Sequence, residues 1–305
     1  MADLVVQGME WLGDSIYQRA VVRELVKDYD VYLETPWPQI VSDLPIKCVK
    51  TGRFRFQQKN TQGRIWYRAP ACERRIVKYR SNPGKSMLLA MCESVGVRSA
   101  ITFDLPAIDV VLEPYVLIRP ASVRHGWKGD ARSPKAEYLA TAADKLRRHF
   151  RIISVADFGQ STGFGGPDRP LLPLPYADQQ YHSGELSADE LFALVAGAAA
   201  VVGGVGWLVP MAVAYRVPML LIFGGCGLHN APNRIFDPCM DTSRVEQLIP
   251  DELCMCGDHD HECNKTISNV EERIERWVFR LVAGCESAMV AGIGNRLVSG
   301  NCAAV

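Results

Sequence analysis

Gly13-Asp14 lies between a short apolar run and a helical pattern, and Asp14 is the first residue whose position suggests chemistry. In open α/β sheets, ligands collect beyond the carboxyl ends of the strands. A carboxylate at such a junction can face a cleft and act as a general base. The structural alternative is that Asp14 caps a helix starting at Ser15. A second junction, Val202-Gly203-Gly204-Val205-Gly206, is glycine-rich. Glycines there let the backbone approach a diphosphate with helix N–H groups aimed at it, although tight strand–helix packing explains them equally. Phe223-Gly224-Gly225 puts another small-residue loop on the same sheet edge. Ser81-Asn-Pro-Gly84-Lys85-Ser86 mimics a phosphate loop but fails, because Tyr79 stands where the motif needs glycine.

Two further clusters carry chemical potential. Between Arg53 and Arg80 there are nine Lys/Arg against one acid, Glu73, interleaved with Phe54, Phe56, Trp66, Tyr67 and Tyr79. Lys59-Asn-Thr-Gln-Gly63 is expected to turn the chain into Arg64-Ile-Trp-Tyr-Arg68, giving a basic β-hairpin. Arg53, Arg55, Arg64, Trp66 and Arg68 would then meet an anionic partner, a phosphorylated saccharide or a nucleic acid. A solvated charged face is the alternative. Cys239, Cys254, Cys256 and Cys263, with His259 and His261 among them, are the densest group of soft ligands. They suit a structural zinc, with free thiols or a disulfide as the other readings. His125, His149, His182 and His229 show no catalytic partner in the sequence.

These residues need elements to hold them. Strands are predicted at Leu4–Gln7, Val31–Glu34, Ile46–Lys50, Ala100–Phe103 and Asp109–Leu112, with a helix over Ser15–Lys27. After Glu113-Pro114 the cycle restarts with the strands Tyr115–Arg119, Arg151–Val155, Ala199–Gly203 and Pro218–Phe223. Ser133-Pro134 is expected to start one helix; capping boxes at Ser187–Glu190 and Ser268–Glu271 are expected to open two more. The last carries Ile274, Trp277, Val278 and Leu281 on one face. Residues 159–184 are rich in glycine, proline and polar side chains and read as a long loop. Strand–helix alternation implies parallel sheets covered on both faces. The expected division is 1–112, 113–270 and a C-terminal helix and tail, 271–305, that would pack back on the first domain.

Composition narrows the class. The chain has 305 residues, 48% hydrophobic and 22% charged, which excludes disorder, collagen-like repeats and a disulfide miniprotein. Lys plus Arg (34) balances Asp plus Glu (34), so global charge points to neither nucleic acid nor an anionic membrane. Residues 198–215 carry no charge, yet Gly203, Gly204, Gly206 and Pro210 favour a strand, loop and helix over a membrane span. No secretory signal is expected at the start. Ten cysteines are then expected to be reduced thiols, with metal ligation as the alternative, in a cytoplasmic protein.

The segment AAAVVGGVGWLVPMAVAYRVPMLLIFGG, with Gly13-Asp14 after the first strand, resembles the heptosyltransferase-like glycosyltransferases of family 9. The matching positions are Val201-Val202-Gly203, Arg216-Val217-Pro218 and Phe223-Gly224-Gly225. The segment YVLIRPASVRHGWKGDARSP resembles the family's strand, small/hydroxyl pair and basic residue, with Ala121, Ser122 and Lys128 in those places. A cysteine-containing insert after the Phe-Gly strand also has counterparts there. The resemblance implies an α/β GT-B architecture: two facing Rossmann-like doubly wound domains, nucleotide-sugar in the second and acceptor in the first. It further implies inversion at the anomeric carbon without a catalytic cofactor, and places Asp14 as base. Donor contacts would come from Ala121, Ser122, Arg124, Lys128, Arg132, Gly203, Gly204, Gly206, Gly224 and Gly225, and the acceptor would be an anionic glycan or glycolipid. Where the family carries Asp or Glu and then His in the donor loop, this chain has Val205, Val209 and Pro210. That departure keeps a non-catalytic nucleotide-sugar- or polymer-binding module in view. An epimerase of the same architecture and a glycosyltransferase acting on nucleic acid are the remaining alternatives.

Overall fold

A computed structural model describes residues 1–52, 58–79, 84–110, 113–159 and 166–290. The first half runs β1 (Ala2–Gln7), α1 (Leu12–Leu25), β2 (Tyr29–Glu34), β3 (Lys47–Val49), α2 (Gln58–Thr61), β4 (Glu73–Ile76) and α3 (Met87–Ser94). The second half begins β5 (Glu113–Ile118), β6 (Ser122–Val123), α4 (Ala136–Leu146), β7 (Arg151–Val155), β8 (Arg169–Pro170) and β9 (Gln179–Tyr181). It continues α5 (Ala188–Ala196), β10 (Ala198–Gly203), α6 (Leu208–Ala214), β11 (Met219–Ile222), α7 (Gly227–Asn230), α8 (Pro232–Ile235), β12 (Val245–Leu248) and α9 (Val270–Val290). One parallel sheet has the order β3-β2-β1-β4 and the other β12-β11-β10-β5-β7-β9, while β6 and β8 form a small antiparallel pair.

Leu4, Val5 and Val6 of β1 and Met219 to Ile222 of β11 are buried whichever way they point. That is what a parallel sheet covered on both faces requires. Both sheets change direction of growth once, between β1 and β4 and between β5 and β10. The loops leaving β1, β5 and β10 therefore open at topological switch points, where such sheets bind ligands. The halves meet through α1 and α6, whose apolar faces join one continuous core that includes Ile16, Ala20, Leu208 and Met211. Gly13 makes this approach feasible, since a Cβ there would lie 3.1 Å from Trp207 Cα.

Several expectations give way to other contacts. Residues 100–103 form no strand; Asp104 instead takes Arg19 and Arg23 at 3.0 and 2.7 Å, pinning the segment to α1. The fourth strand of that sheet is Glu-Arg-Arg-Ile at 73–76, an edge strand whose charges discourage further pairing. The basic hairpin is not made by the described residues, because 58–61 is a helical turn and Tyr67 bridges Val49 in parallel. Arg53, Arg55, Phe54 and Phe56, and the strand residues 111–112, lie outside the described residues. Helix α4 starts at Ala136 rather than at Ser133-Pro134, as the Ser133 hydroxyl donates to Ser122 O.

The Ser187 capping box forms as expected. At the last helix Ser268 turns its hydroxyl to Asp251 Oδ2 at 2.7 Å, so no such box closes there. Residues 159–184 are not all loop, since β8 and β9 lie within them and β9 joins the large sheet. The uncharged stretch 198–215 is β10, a loop and α6, and no described helix is long and apolar enough to cross a membrane. In its described part α9 packs on α4 of the second half, through Ile274, Trp277, Val278 and Leu281.

Candidate functional site

The three switch-point loops converge on one cleft. Asp14 lies in the first turn of α1, where the helix N-terminus favours a negative charge. It is not the cap, because the helix begins at Leu12 and Trp11 precedes it. The Tyr79 hydroxyl, which follows β4, donates to Asp14 Oδ1 at a long 3.4 Å. Asp14 keeps some exposed surface yet is densely surrounded. Burial pushes its carboxyl above the ordinary range, against the opposing pull of Arg132, Arg124 and the Tyr79 bond. The same crowding, with Asp14 next in weight, pushes the Tyr79 phenol up to about 12. A carboxylate that holds its proton more tightly than usual is a candidate general base.

Facing it, the second domain supplies three guanidiniums. Arg119 directly follows β5, with a fifth of its side chain exposed, and its nearest acid is Asp168 at 3.7 Å. Desolvation lowers its pKa to about 10; Asp168 opposes this, while Arg132 and Arg124 add to it. Arg132 donates from Nε to Val205 O at 3.1 Å, which ties it to the glycine loop. Arg124 lies 3.6 Å above the Trp11 ring of the first domain, and Trp127 lies beside both arginines at 5.6 and 5.7 Å. Gly206 lets this charge reach the start of α6, for a Cβ there would meet Arg119 Nη1 at 2.6 Å. Burial, with Arg132 adding to it, lowers both Arg119 and Arg124 against the opposing pull of Asp168 and, for Arg124, Asp14, so this is a site that an anion would relieve.

The other expected residues fall in different places. Gly204, Gly224 and Gly225 are packing glycines: a Cβ would strike Pro134 at 2.7 Å, Ser133 O at 2.3 Å and Cys263 Sγ at 2.3 Å respectively. Gly203 ends β10 beside Arg119. Ala121 is buried, and the Ser122 hydroxyl donates to Asp168 Oδ2 at 3.1 Å, so both shape the loop. Lys128 is exposed, and its N–H donates to Asp260 Oδ1 at 3.2 Å. Lys128→Ala is accordingly expected to change nucleoside-diphosphate affinity by no more than about twofold in a calorimetric titration, since the variant keeps that N–H bond and loses only a solvated charge. Arg64 pairs with Asp189 at the start of α5, bridging the domains. Arg74 pairs with Glu34 and Arg75 with Glu73. Trp66 is half-buried with Lys50 Nζ 5.6 Å from its ring, and Arg68 is exposed. Among the described residues of the patch, Arg64, Arg74 and Arg75 are thus each paired with an acid of the protein itself. Arg119, Trp11 and Trp127 escaped the sequence reading. A charged residue ending the apolar strand YVLI was the available signal for Arg119.

The thiol cluster is real but differs in one ligand. Cys254, Cys256, His261 and Cys263 bring their ligand atoms within 4.8 Å of one another. Cys239 is elsewhere, beside Asp237 and Cys92, and its thiol is pushed up to about 12 chiefly by burial. The separations within the cluster are 3.4 Å for His261 Nδ1 to Cys263 Sγ, 3.5 Å for Cys256 to Cys263 and 3.6 Å for Cys254 to His261. A tetrahedral ion with Zn–S bonds of about 2.3 Å spaces its sulfurs about 3.8 Å apart, so the donor set has the right size and softness. Four protein ligands would leave no open position, which is the pattern of a structural ion. All described cysteines are free thiols.

No family model matches the sequence, and no curated protein matches it. Solved structures do match. TibC, an iron-containing dodecameric glycosyltransferase from enterotoxigenic E. coli H10407, is 16% identical at a TM-score of 0.52, over 96% of this chain and 78% of TibC. TibC in complex with ADP-D-beta-D-heptose gives a TM-score of 0.54 at 15% identity, over 96% and 77%. E. coli ADP-heptose LPS heptosyltransferase II matches at 0.57 and 12%, over 93% and 99%. A family 9 glycosyltransferase from Veillonella parvula DSM 2008 matches at 0.52 and 12%, over 92% and 97%. The fold is thus GT-B, as the sequence resemblance implied.

Proposed function

We propose that the chain is an inverting glycosyltransferase that moves a sugar from a nucleoside-diphosphate donor to an acceptor hydroxyl. The observation that carries this reading is the juxtaposition of Asp14 with Arg124 and Arg132 across the cleft of a GT-B fold. In the proposed step Asp14 takes the hydroxyl proton while the acceptor oxygen bonds to the anomeric carbon. The bond from that carbon to the diphosphate breaks on the opposite face, and its electron pair leaves with the nucleoside diphosphate. Arg119, Arg124 and Arg132 would neutralise the developing charge without a catalytic metal. ADP-heptose, the ligand of TibC, is one donor of the required class. The acceptor we infer is anionic, a phosphorylated saccharide or glycolipid held on the first domain. Its remaining carriers are Arg68 and, by sequence, Arg53 and Arg55. A structural ion in the thiol cluster and a reducing cytoplasmic setting complete the reading.

One observation favours a second reading. Val205 and Val209 are buried, so the donor loop offers backbone groups rather than polar side chains. A panel of UDP-, GDP-, ADP- and dTDP-sugars, each offered with a phosphorylated saccharide or an oligonucleotide, decides between them. Transfer or slow donor hydrolysis is expected with at least one donor. Binding without turnover across the whole panel would make the protein a nucleotide-sugar-binding module, and absence of binding would sink both readings.

A further inference from the structure

Residues 127–132 carry Trp127 and Arg132 into the cleft, and a second segment, 258–265, holds them from behind. The N–H groups of Lys128 and Gly129 both donate to Asp260 Oδ1, at 3.2 and 2.8 Å. The Ala131 N–H donates to His259 O at 3.3 Å, and Lys265 Nζ reaches the Asp130 carbonyl and carboxylate, each at 2.8 Å. The two backbones touch at Gly129, where a Cβ would lie 2.5 Å from Asp260 Cα. Above this seam the His259 ring stacks on Trp127, with centroids 3.7 Å apart and planes 9° from parallel. Yet the bracing segment has no regular structure of its own, because 249–269 contains neither helix nor strand. A few backbone bonds tie it down, from Gly227 N–H to Cys254 O, Leu228 N–H to Cys256 O and Asp251 N–H to Thr266 O, and the Cys254, Cys256, His261 and Cys263 side chains come together with His259 and Asp260 between them in sequence.

We propose that this cluster, loaded with zinc or iron, is the brace that fixes residues 127–132 in the cleft and so links donor affinity to metal occupancy. The donor half of the statement rests on the function proposed above, whereas the brace itself does not. Without the ion the four ligands would have no common partner, and a segment lacking backbone ladders would sample other shapes. Arg132 and Trp127 would then lose their rear support. The coupling is reciprocal, so a bound diphosphate should tighten metal binding by the same factor that metal tightens diphosphate binding.

The experiment compares the full chain loaded with zinc and stripped by chelation, with metal content measured in each. Hydrogen exchange at the Gly129 and Ala131 amides needs no ligand, and it is expected to accelerate on stripping. Inorganic pyrophosphate and ADP are expected to bind roughly tenfold more weakly to the stripped form, the factor expected when a few supporting hydrogen bonds are lost. Asp260→Ala removes the bonds to Lys128 and Gly129 without touching a ligand. In the loaded protein it should reproduce both effects at unchanged metal content, which keeps the test decisive even if stripping unfolds the domain. His261→Cys, which preserves a four-ligand set, should retain metal, exchange protection and affinity. Metal-dependent protection without binding of either probe would uphold the brace and overturn the donor reading. Equal exchange and equal affinity in the loaded, stripped and Asp260→Ala proteins, or failure to take up zinc or iron, would overturn the brace.

Discussion

Asp14→Asn is expected to lower sugar transfer by roughly 10²–10⁴-fold, the usual loss when a general base is removed. Donor affinity should be no weaker, because the substitution removes a negative charge from beside Arg124 and Arg132. The pH behaviour follows from the raised carboxyl. Only the ionised form accepts a proton, so parent activity should climb with pH through a value above 3.8, the ordinary Asp value. Stability runs the other way. Between 3.8 and the raised folded value the unfolded chain binds fewer protons than the native one, so folding stability falls as pH rises through that window. The asparagine variant lacks this term and should gain stability relative to the parent across the same interval. Chemical denaturation at a series of pH values reads the second effect, and initial rates with a turned-over donor read the first. Unchanged turnover would leave Asp14 only as a favourable charge in the first turn of α1.

The central strands were legible because β1, β5, β7, β10 and β11 are buried on both faces and read as apolar runs. The edges were not. Glu73–Ile76 is a strand only because it pairs with β1, and its charges mimic a solvated patch in one dimension. Residues 100–103 have strand-like composition, yet the Asp104 pairs with Arg19 and Arg23 draw the segment to α1 instead. Asp14 and the glycine loop beside it could be placed because junction position alone predicts the sheet edge on which a residue falls. Arg124 and Arg132 were named through the resemblance, but Arg119 was missed, since the three are brought together only by the fold of the loop after β5. Replacing Cys239 by His261 in the thiol cluster has the same origin: spacing counts residues, while Cys239 is carried off toward Asp237.

Arg132→Ala is expected to weaken binding of nucleoside diphosphates about 10–100-fold, since charge-assisted hydrogen bonds contribute roughly 1.5–3 kcal/mol each. Arg132 is the informative choice among the three. Arg119 pairs with Asp168 in a largely enclosed setting, so its removal would leave that carboxylate with only the Ser122 and His125 bonds and confound binding with folding. Arg124 is partly engaged on the Trp11 ring at 3.6 Å, and its loss should cost less. Among the described residues Arg132 donates one hydrogen bond, from Nε to Val205 O, which leaves its two Nη groups for a ligand. Arg132→Lys keeps the charge but not the planar fork, and should recover only part of the affinity. If the guanidiniums act as a group on one diphosphate, Arg124→Ala and Arg132→Ala should be non-additive, with a coupling of about 0.5–3 kcal/mol in a double-mutant cycle. Additive losses would place the two arginines on separate anions. A full-affinity Arg132→Ala variant would move the diphosphate away from the glycine loop, and with it the proposed direction of departure from the anomeric carbon.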